Sequence, residues 1–234
     1  MRQHAFVQRR YEDACGTAHS LELIGDRWAL LIMRELMLGG RRFSQLRADL
    51  PGISANVLTQ RLDELEARGV LVRKRLPPPA SARIYELTPW GYEAEIIVRE
   101  MGRWAARSRF HDPTLRISPV SVLLSLRTML SRERAKGIDA VIGFRFGDEC
   151  YRGHLTGDGV TYARGDADNA KVIFSAEPTA LAAAVHGDVP VTALEAAGVL
   201  SITGDRRLAK KFVTLFPLPM KVAARGAGTS VRRH

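Results

Sequence analysis

The segment from Pro51 to Lys74, PGISANVLTQRLDELEARGVLVRK, limits the fold more than any other stretch of the chain. Leu58, Leu62 and Leu65 recur at intervals of four and three residues, which puts them on one side of an α-helix. Ser54 precedes that helix as an N-cap, with Val57 where a capping box would have Glu, and Gly69 ends it. VLVRKRL then alternates like a strand, PPPASAR is a proline-stiffened loop, and IYELT returns as a second strand. Opposite the leucines lie Ala55, Asn56, Thr59, Gln60 and Asp63. Short hydrogen-bonding side chains of this kind suit base edges and phosphates. A solvated face is the ordinary alternative for any polar helix side, so the surroundings of this helix decide.

Those surroundings read as three helices before it and one after. The first runs through AHSLELIG and stops near Gly25. The second, DRWALLIMRELMLGG, is expected to open at Asp26 as N-cap, to bury Trp28, Leu31, Ile32 and Leu36, and to end at Gly39-Gly40. RRFSQLRADL follows, with Phe43, Leu46 and Leu50 inward, and Pro51-Gly52 breaks it. Beyond the ribbon, Thr88-Pro89 supplies an N-cap and a first-turn proline. The helix running from there towards Arg107 carries Ile96, Ile97, Met101 and Trp104. This succession predicts a winged helix-turn-helix, mostly α with a β-hairpin wing. In that arrangement the helix before the ribbon enters the major groove. The expected DNA-facing side chains are Ser44, Ser54, Asn56, Thr59, Gln60 and Arg61, with Arg73, Arg75 and Arg83 flanking the wing to neutralise phosphates.

Cys15, LELIGDRWALLIMREL, GGRRFSQL, PGISANVLTQRLDELEARGVL and YELTPWG, in unbroken order over about Cys15 to Arg107, resemble the HxlR family of bacterial transcription regulators. The resemblance implies a homodimer whose two winged helices read a palindromic operator. It places the recognition helix at Ser54 to Arg68 and the wing at about Lys74 to Ile84. The helix after the wing and the segment before Gly16 are the expected dimer surfaces. One departure is Gly16, where many members have proline after the first cysteine. Some members sense oxidants or electrophiles with the cysteine at this place, which makes Cys15 a candidate redox sensor. Arg9 and Arg10 are near enough in sequence to lower its pKa. The competing reading, a small buried hydrophobe, is the commoner fate of a free cysteine.

Composition permits this reading without requiring it. The net charge is +10, with 35 Lys and Arg against 25 Asp and Glu, and the excess is spread over both halves. Cys15 and Cys150 are too few for a disulfide framework or a zinc ligand set. The apolar runs are too short to span a membrane, and no apolar h-region follows the first basic residues. A cytoplasmic protein without membrane insertion is the expectation.

The second half reads differently. FHDPTLRISP is a linker, VSVLLSLRTML an amphipathic helix and IDAVIGFRFG a half-buried strand. Asp158-Gly159 marks a hairpin turn, AKVIFSAE is another strand, and PTALAAAVHG and PVTALEAAG are small-residue helices. GVLSITGDRRLAKKFVTLF, together with the hairpin, resembles the sterol-carrier-protein-like domain over about Val120 to Pro217. That resemblance implies an α+β domain with an antiparallel sheet around an apolar tunnel for hydrophobic molecules. Candidate walls are Phe144, Phe146, Phe174, Leu181, Phe212 and Phe216; a packed core would use the same residues. His111, His154 and His186 lack metal-site spacing, and no catalytic constellation, cofactor fingerprint or phosphate loop appears.

The resulting expectation is a DNA-binding domain at 1–109, a linker at 110–119, a ligand domain at 120–217 and a basic tail at 218–234. The function expected is a repressor that binds double-stranded DNA as a homodimer under control of a hydrophobic small molecule. The rivals are a lipid or sterol carrier that uses the winged helix for dimerisation, and an enzyme acting on a hydrophobic substrate.

Overall fold

The computed structural model describes residues 11–77 and 82–223, and these separate into two compact units that divide between Val98 and Arg99. In the first unit, α1 (Gly16–Ile24), α2 (Ala29–Leu36) and α3 (Phe43–Asp49) precede α4 (Ala55–Ala67). The strands β1 (Leu71–Arg75) and β2 (Arg83–Leu87) then pair antiparallel, Leu71 opposite Leu87 and Arg75 opposite Arg83. Ser54 caps α4 as expected, its hydroxyl accepting from the Val57 N–H at 3.3 Å. Gly69, in the left-handed region at φ +73°, releases the chain into β1.

Helix α2 departs from the expectation. It begins three residues after Asp26, because Trp28 adopts a left-handed backbone at φ 81° and no side chain caps the helix. Asp26 instead turns the chain through its carbonyl, which accepts from Ala29 N–H at 3.0 Å, and its carboxylate pairs with arginines of α4. Ile32 and Leu36 are buried as read, whereas Trp28 is half-buried and Leu31 is exposed. The helix expected from Pro89 is two, α5 (Pro89–Glu93) and α6 (Glu95–Ala105), with the break at Ala94. Thr88 caps α5, accepting from Gly91 N–H at 3.0 Å. On α6, Ile97, Met101 and Trp104 recur at four and three residues, and all are exposed along with Ile96.

Arg41 joins the ribbon to the helices. Its N–H donates to the Tyr85 carbonyl at 2.9 Å and its carbonyl accepts from Tyr85 N–H at 2.8 Å, adding one residue of a third strand to β2. Its guanidinium, 2% exposed, pairs with Asp49 at the end of α3.

The second unit contains α7 (Pro119–Met129), a short α8 (Arg132–Ala135), β3 (Asp139–Phe146), β4 (Glu149–Thr156) and β5 (Val160–Arg164). It continues with β6 (Val172–Ala176), α9 (Pro178–His186), α10 (Val191–Ala196), β7 (Leu200–Gly204) and α11 (Arg206–Phe212). The sheet runs in the order β5-β4-β3-β6-β7. It is mixed, which corrects the expectation of an antiparallel sheet: β6 lies parallel to β3, with Phe174 beside Phe144. The cause is the path of residues 165–171. Strand β4 already fills one edge of β3, so after β5 the chain crosses to the other edge and enters it in the direction of β3. It passes over Gly143, where a Cβ would meet Ala167 Cβ at 3.0 Å and Ile173 Cγ1 at 2.9 Å.

Helices α7, α9 and α11 cover the other face, over Ile142, Phe144, Tyr151, Leu155 and Phe174. His186 ties this layer together. Its Nδ1 lies 3.2 Å from the Phe216 carbonyl and so carries the proton, leaving Nε2 to accept from the Ser125 hydroxyl at 2.9 Å. Burial holds its pKa below the ordinary imidazole value. Residues 218–223, read as the start of a tail, return to the chain: Val222 N–H donates to the Arg107 carbonyl at 2.8 Å. Residues 224–234, the remainder of that tail, lie outside the described residues.

Removing one partner of a buried ion pair strands the other charge, at a cost of about 3–5 kcal/mol. Asp49→Ala should therefore lower the urea midpoint of the first unit strongly, and Asp49→Asn, which keeps an acceptor for Arg41, should lower it less. Circular dichroism on the full chain reads both, and an unchanged midpoint in Asp49→Ala would show that Arg41 does not depend on that carboxylate.

Candidate nucleic-acid interface

The surface expected to face DNA is built on α4. Leu58, Leu62 and Leu65 are at most 1% exposed, and they lock the helix against its unit. That anchoring turns Asn56, Thr59 and Gln60 outward, and all three are exposed, as are Ser54 and Ser44, the latter on α3. The ribbon follows directly. Arg75 and Arg83 face each other at its outer end and are exposed, and no ion-pair partner for either occurs among the described residues. The wing tip at 78–81 lies outside the described residues.

The remaining expected contacts are held by carboxylates. Gln60 Nε2 donates to Glu64 Oε1 at 2.9 Å. Arg61 pairs with the same buried Glu64 and, at 3.3 Å, with Asp26, so only 18% of its side chain is exposed. Arg68 lies 3.7 Å from Asp26 and donates to the Leu23 carbonyl at 2.7 Å. Arg73 bonds Asp63, lies 3.2 Å from Glu66, and stacks over the Tyr85 ring at 5.5 Å. Burial works against its charge, yet Asp63 and Glu66 raise its pKa above the ordinary arginine value. Arg61 and Arg73 are thus bound to the protein's own acids, and any phosphate must compete with those carboxylates.

The sequence reading did not single out Arg42 and Arg47 of α3, which are exposed on the same unit. The doublet Arg41-Arg42 carried the signal, but only three-dimensional structure separates the buried member from the exposed one. Nor did it find Asp26 and Glu64 as the acids that hold α4's cations, since their partners are set by folding.

Cys15 is exposed, which overturns the buried-hydrophobe alternative. It occupies the N-cap of α1, where the backbone N–H groups of Thr17 and Ala18 and the Thr17 hydroxyl hold its thiol pKa below the ordinary cysteine value. Arg9 and Arg10, expected to act on it, lie outside the described residues. Cys150 goes the other way, raised first by burial and then by Asp166.

In the second unit the six expected pocket residues come together. Phe144, Phe146, Phe174, Leu181, Phe212 and Phe216 are all buried. Their rings meet at centroid distances of 4.9 Å for Phe212–Phe216, 5.1 Å for Phe174–Phe212 and 6.0 Å for Phe144–Phe174. The rings therefore pack on one another. Among the described residues no group of His, Cys, Asp and Glu is placed to hold a metal ion, and no helix is long and apolar enough to cross a membrane.

The chain matches two family models, HxlR-like helix-turn-helix over residues 23–112 and the SCP-2 sterol transfer family over residues 123–217. An uncharacterized HTH-type transcriptional regulator, YvaP of Bacillus subtilis, is 37% identical over 95 residues, spanning 41% of this chain and 86% of the relative. The HTH-type transcriptional regulator YodB of the same organism is 37% identical over 94 residues, spanning 40% and 82%. The solved reduced form of YodB superposes with a TM-score of 0.37 at 35% identity, over 43% of this chain and 98% of that one.

Only the thiolate is nucleophilic, so a lowered pKa keeps a cysteine reactive at lower pH. In single-cysteine variants, the iodoacetamide rate at Cys15 should reach half its maximum at a lower pH than that at Cys150. Coincident profiles would remove the basis for treating Cys15 as the sensor.

Proposed function

Because the chain belongs to the HxlR-like helix-turn-helix family, we propose that it is a DNA-binding transcriptional regulator acting as a homodimeric repressor in the cytoplasm. The observation that carries this reading is the outward face of α4, where Asn56, Thr59 and Gln60 stand exposed over a fully buried leucine stripe. Asn and Gln offer bidentate pairing to adenine, and Thr a hydroxyl and a methyl. Arg75 and Arg83 on the wing, with Arg42 and Arg47 on α3, neutralise phosphates and fix the register. Ser44 and Ser54 add hydroxyls at the helix N-termini, and Arg61 and Arg73 act as supports that hold α4 and the ribbon in place.

A single recognition helix reads few base pairs, so two copies on half-sites one helical turn apart supply the affinity an operator needs. The unpartnered stripe Ile97, Met101 and Trp104 of α6, with Trp104 77% exposed, is the surface through which two chains join. Bound across a promoter, such a dimer represses by occupancy alone. Control enters in one of two ways: oxidation or alkylation at Cys15, or a hydrophobic effector in the SCP-2-type second half. A coupling free energy of about 1–3 kcal/mol is enough to change operator affinity by roughly 5–150-fold. The second half also keeps a carrier reading in view, in which the winged helix only dimerises, and DNA binding discriminates the two. Neither reading calls for turnover of a substrate.

Fluorescence anisotropy on duplex from upstream of the gene, with a shuffled duplex alongside and salt varied, tests the regulator reading. The native duplex should bind orders of magnitude more tightly, with a log–log salt slope of several units. Asn56→Ala combined with Gln60→Ala should remove about 2–6 kcal/mol of that preference while leaving weak, salt-sensitive binding to any duplex. Retention of full preference by the double variant would assign recognition elsewhere, and equal weak binding to both duplexes by the unaltered chain would favour the carrier.

A further inference from the structure

Two tyrosines stand on the helix-covered face of the five-stranded sheet, and their hydroxyls are treated in opposite ways. Tyr151 is completely buried; its hydroxyl donates to Glu149 Oε2 at 2.5 Å and accepts from Arg164 Nη1 at 2.7 Å. Tyr162 lies opposite Gly153 in the β4–β5 register. Its ring reaches from β5 over Gly153, where a Cβ would come within 3.0 Å of Tyr162 Cε1. It then meets Phe144 of β3 edge-on, with centroids 5.9 Å apart. The ring therefore points from the sheet edge towards the phenylalanine cluster. At its end the hydroxyl oxygen is sealed from solvent and has no hydrogen-bond partner among the described residues.

An unpaired buried hydroxyl is costly, native proteins keep few of them, and each calls for an explanation. Ionisation does not supply one. Burial pushes the phenol pKa up, and the Arg127 guanidinium, 5.2 Å above the ring centroid, only opposes this in part. The group is a neutral donor on a ring that abuts Phe144 of the aromatic cluster. Gly153 is what allows it, since any side chain there would force the ring aside.

We propose that Tyr162 is the hydrogen-bond donor of a ligand site in the second unit, and that the ligand is a small aromatic compound carrying one hydrogen-bond-accepting oxygen. This deepens, and rests on, the reading of the second unit as the effector domain. The aromatic class follows from the enclosure: Phe144, Phe174, Phe212 and Phe216 already meet in stacked, tilted and edge-on pairs, and another ring joins such a set on the same terms. The oxygen follows from the unmatched Tyr162 hydroxyl, which needs an acceptor. The rings pack on one another in the free protein, so the ligand enters by displacing them. Empty and occupied forms then differ in packing, and an effector acts only through such a difference.

Equilibrium dialysis of the full chain and of Tyr162→Phe against 2-acetonaphthone and 2-ethylnaphthalene, near-isosteres that differ in a carbonyl oxygen, tests the assignment. The unaltered chain should hold the ketone about two- to twelvefold more tightly than the hydrocarbon, the range expected for one hydrogen bond. Tyr162→Phe should lose that preference. Without ligand, it should also melt at the same temperature or higher, because no bond is removed. An equal preference in both proteins overturns the proposal, as does failure of the unaltered chain to bind either probe. A lower melting temperature for ligand-free Tyr162→Phe also overturns it, by showing that the hydroxyl is already bonded. Operator binding by the same ligand-free proteins is read separately, so failure of the regulator reading would appear there and not in the dialysis.

Discussion

The buried pair of Arg41 and Asp49 is the interaction on which the DNA-binding unit depends. A guanidinium withdrawn from water this completely is tolerable only if charge and geometry are both met. Asp49 at the end of α3 meets the charge, and the double backbone bridge to Tyr85 fixes the geometry. From Tyr85 the linkage continues outward. Its ring lies under Arg73, and Arg73 bonds Asp63 and Glu66 on α4. A short chain of contacts thus runs from α3 through the ribbon to the recognition helix. Ribbon and α4 are held at a fixed relation by these contacts, and the loops between them do not have to supply it.

The same carboxylates have a second effect. Asp26, Asp63, Glu64 and Glu66 sit on or beside α4 and take up Arg61, Arg68 and Arg73. What α4 offers outward is then mostly uncharged, through Asn56 and Thr59, while exposed cations gather at the ribbon end and on α3. On the proposed reading, base contacts and backbone attraction would then fall to different elements. The overall charge of +10 could not reveal this division, because it counts paired and unpaired arginines alike.

Features encoded by near neighbours in the chain were legible in the sequence. The leucine stripe of α4, the Ser54 and Thr88 caps and the Asp158-Gly159 hairpin each depend on residues within a few positions, and all stand where they were read. Features set by distant partners were not. Asp26 has the chemistry of an N-cap, but the left-handed turn at Trp28 and the pull of Arg61 assign it elsewhere. Alternation identifies β6 as a strand yet is silent on direction, which the seven-residue crossing above Gly143 decides. Nor could the pattern separate Arg41 from Arg42, or predict that Tyr151 of β4 would end with its hydroxyl satisfied and Tyr162 of β5 without a partner among the described residues.

The internal pairing of the α4 arginines bears on how such a protein finds its site. Each phosphate contact made on random duplex adds to the time spent there, and each cation kept by a neighbouring carboxylate shortens it. Arg42, Arg47, Arg75 and Arg83 remain free to make such contacts, whereas Arg61, Arg68 and Arg73 are held back by their acids. On the proposed reading, Asp63, Glu64 and Glu66 would set how long the protein dwells on a wrong sequence by keeping Arg61 and Arg73 from its phosphates.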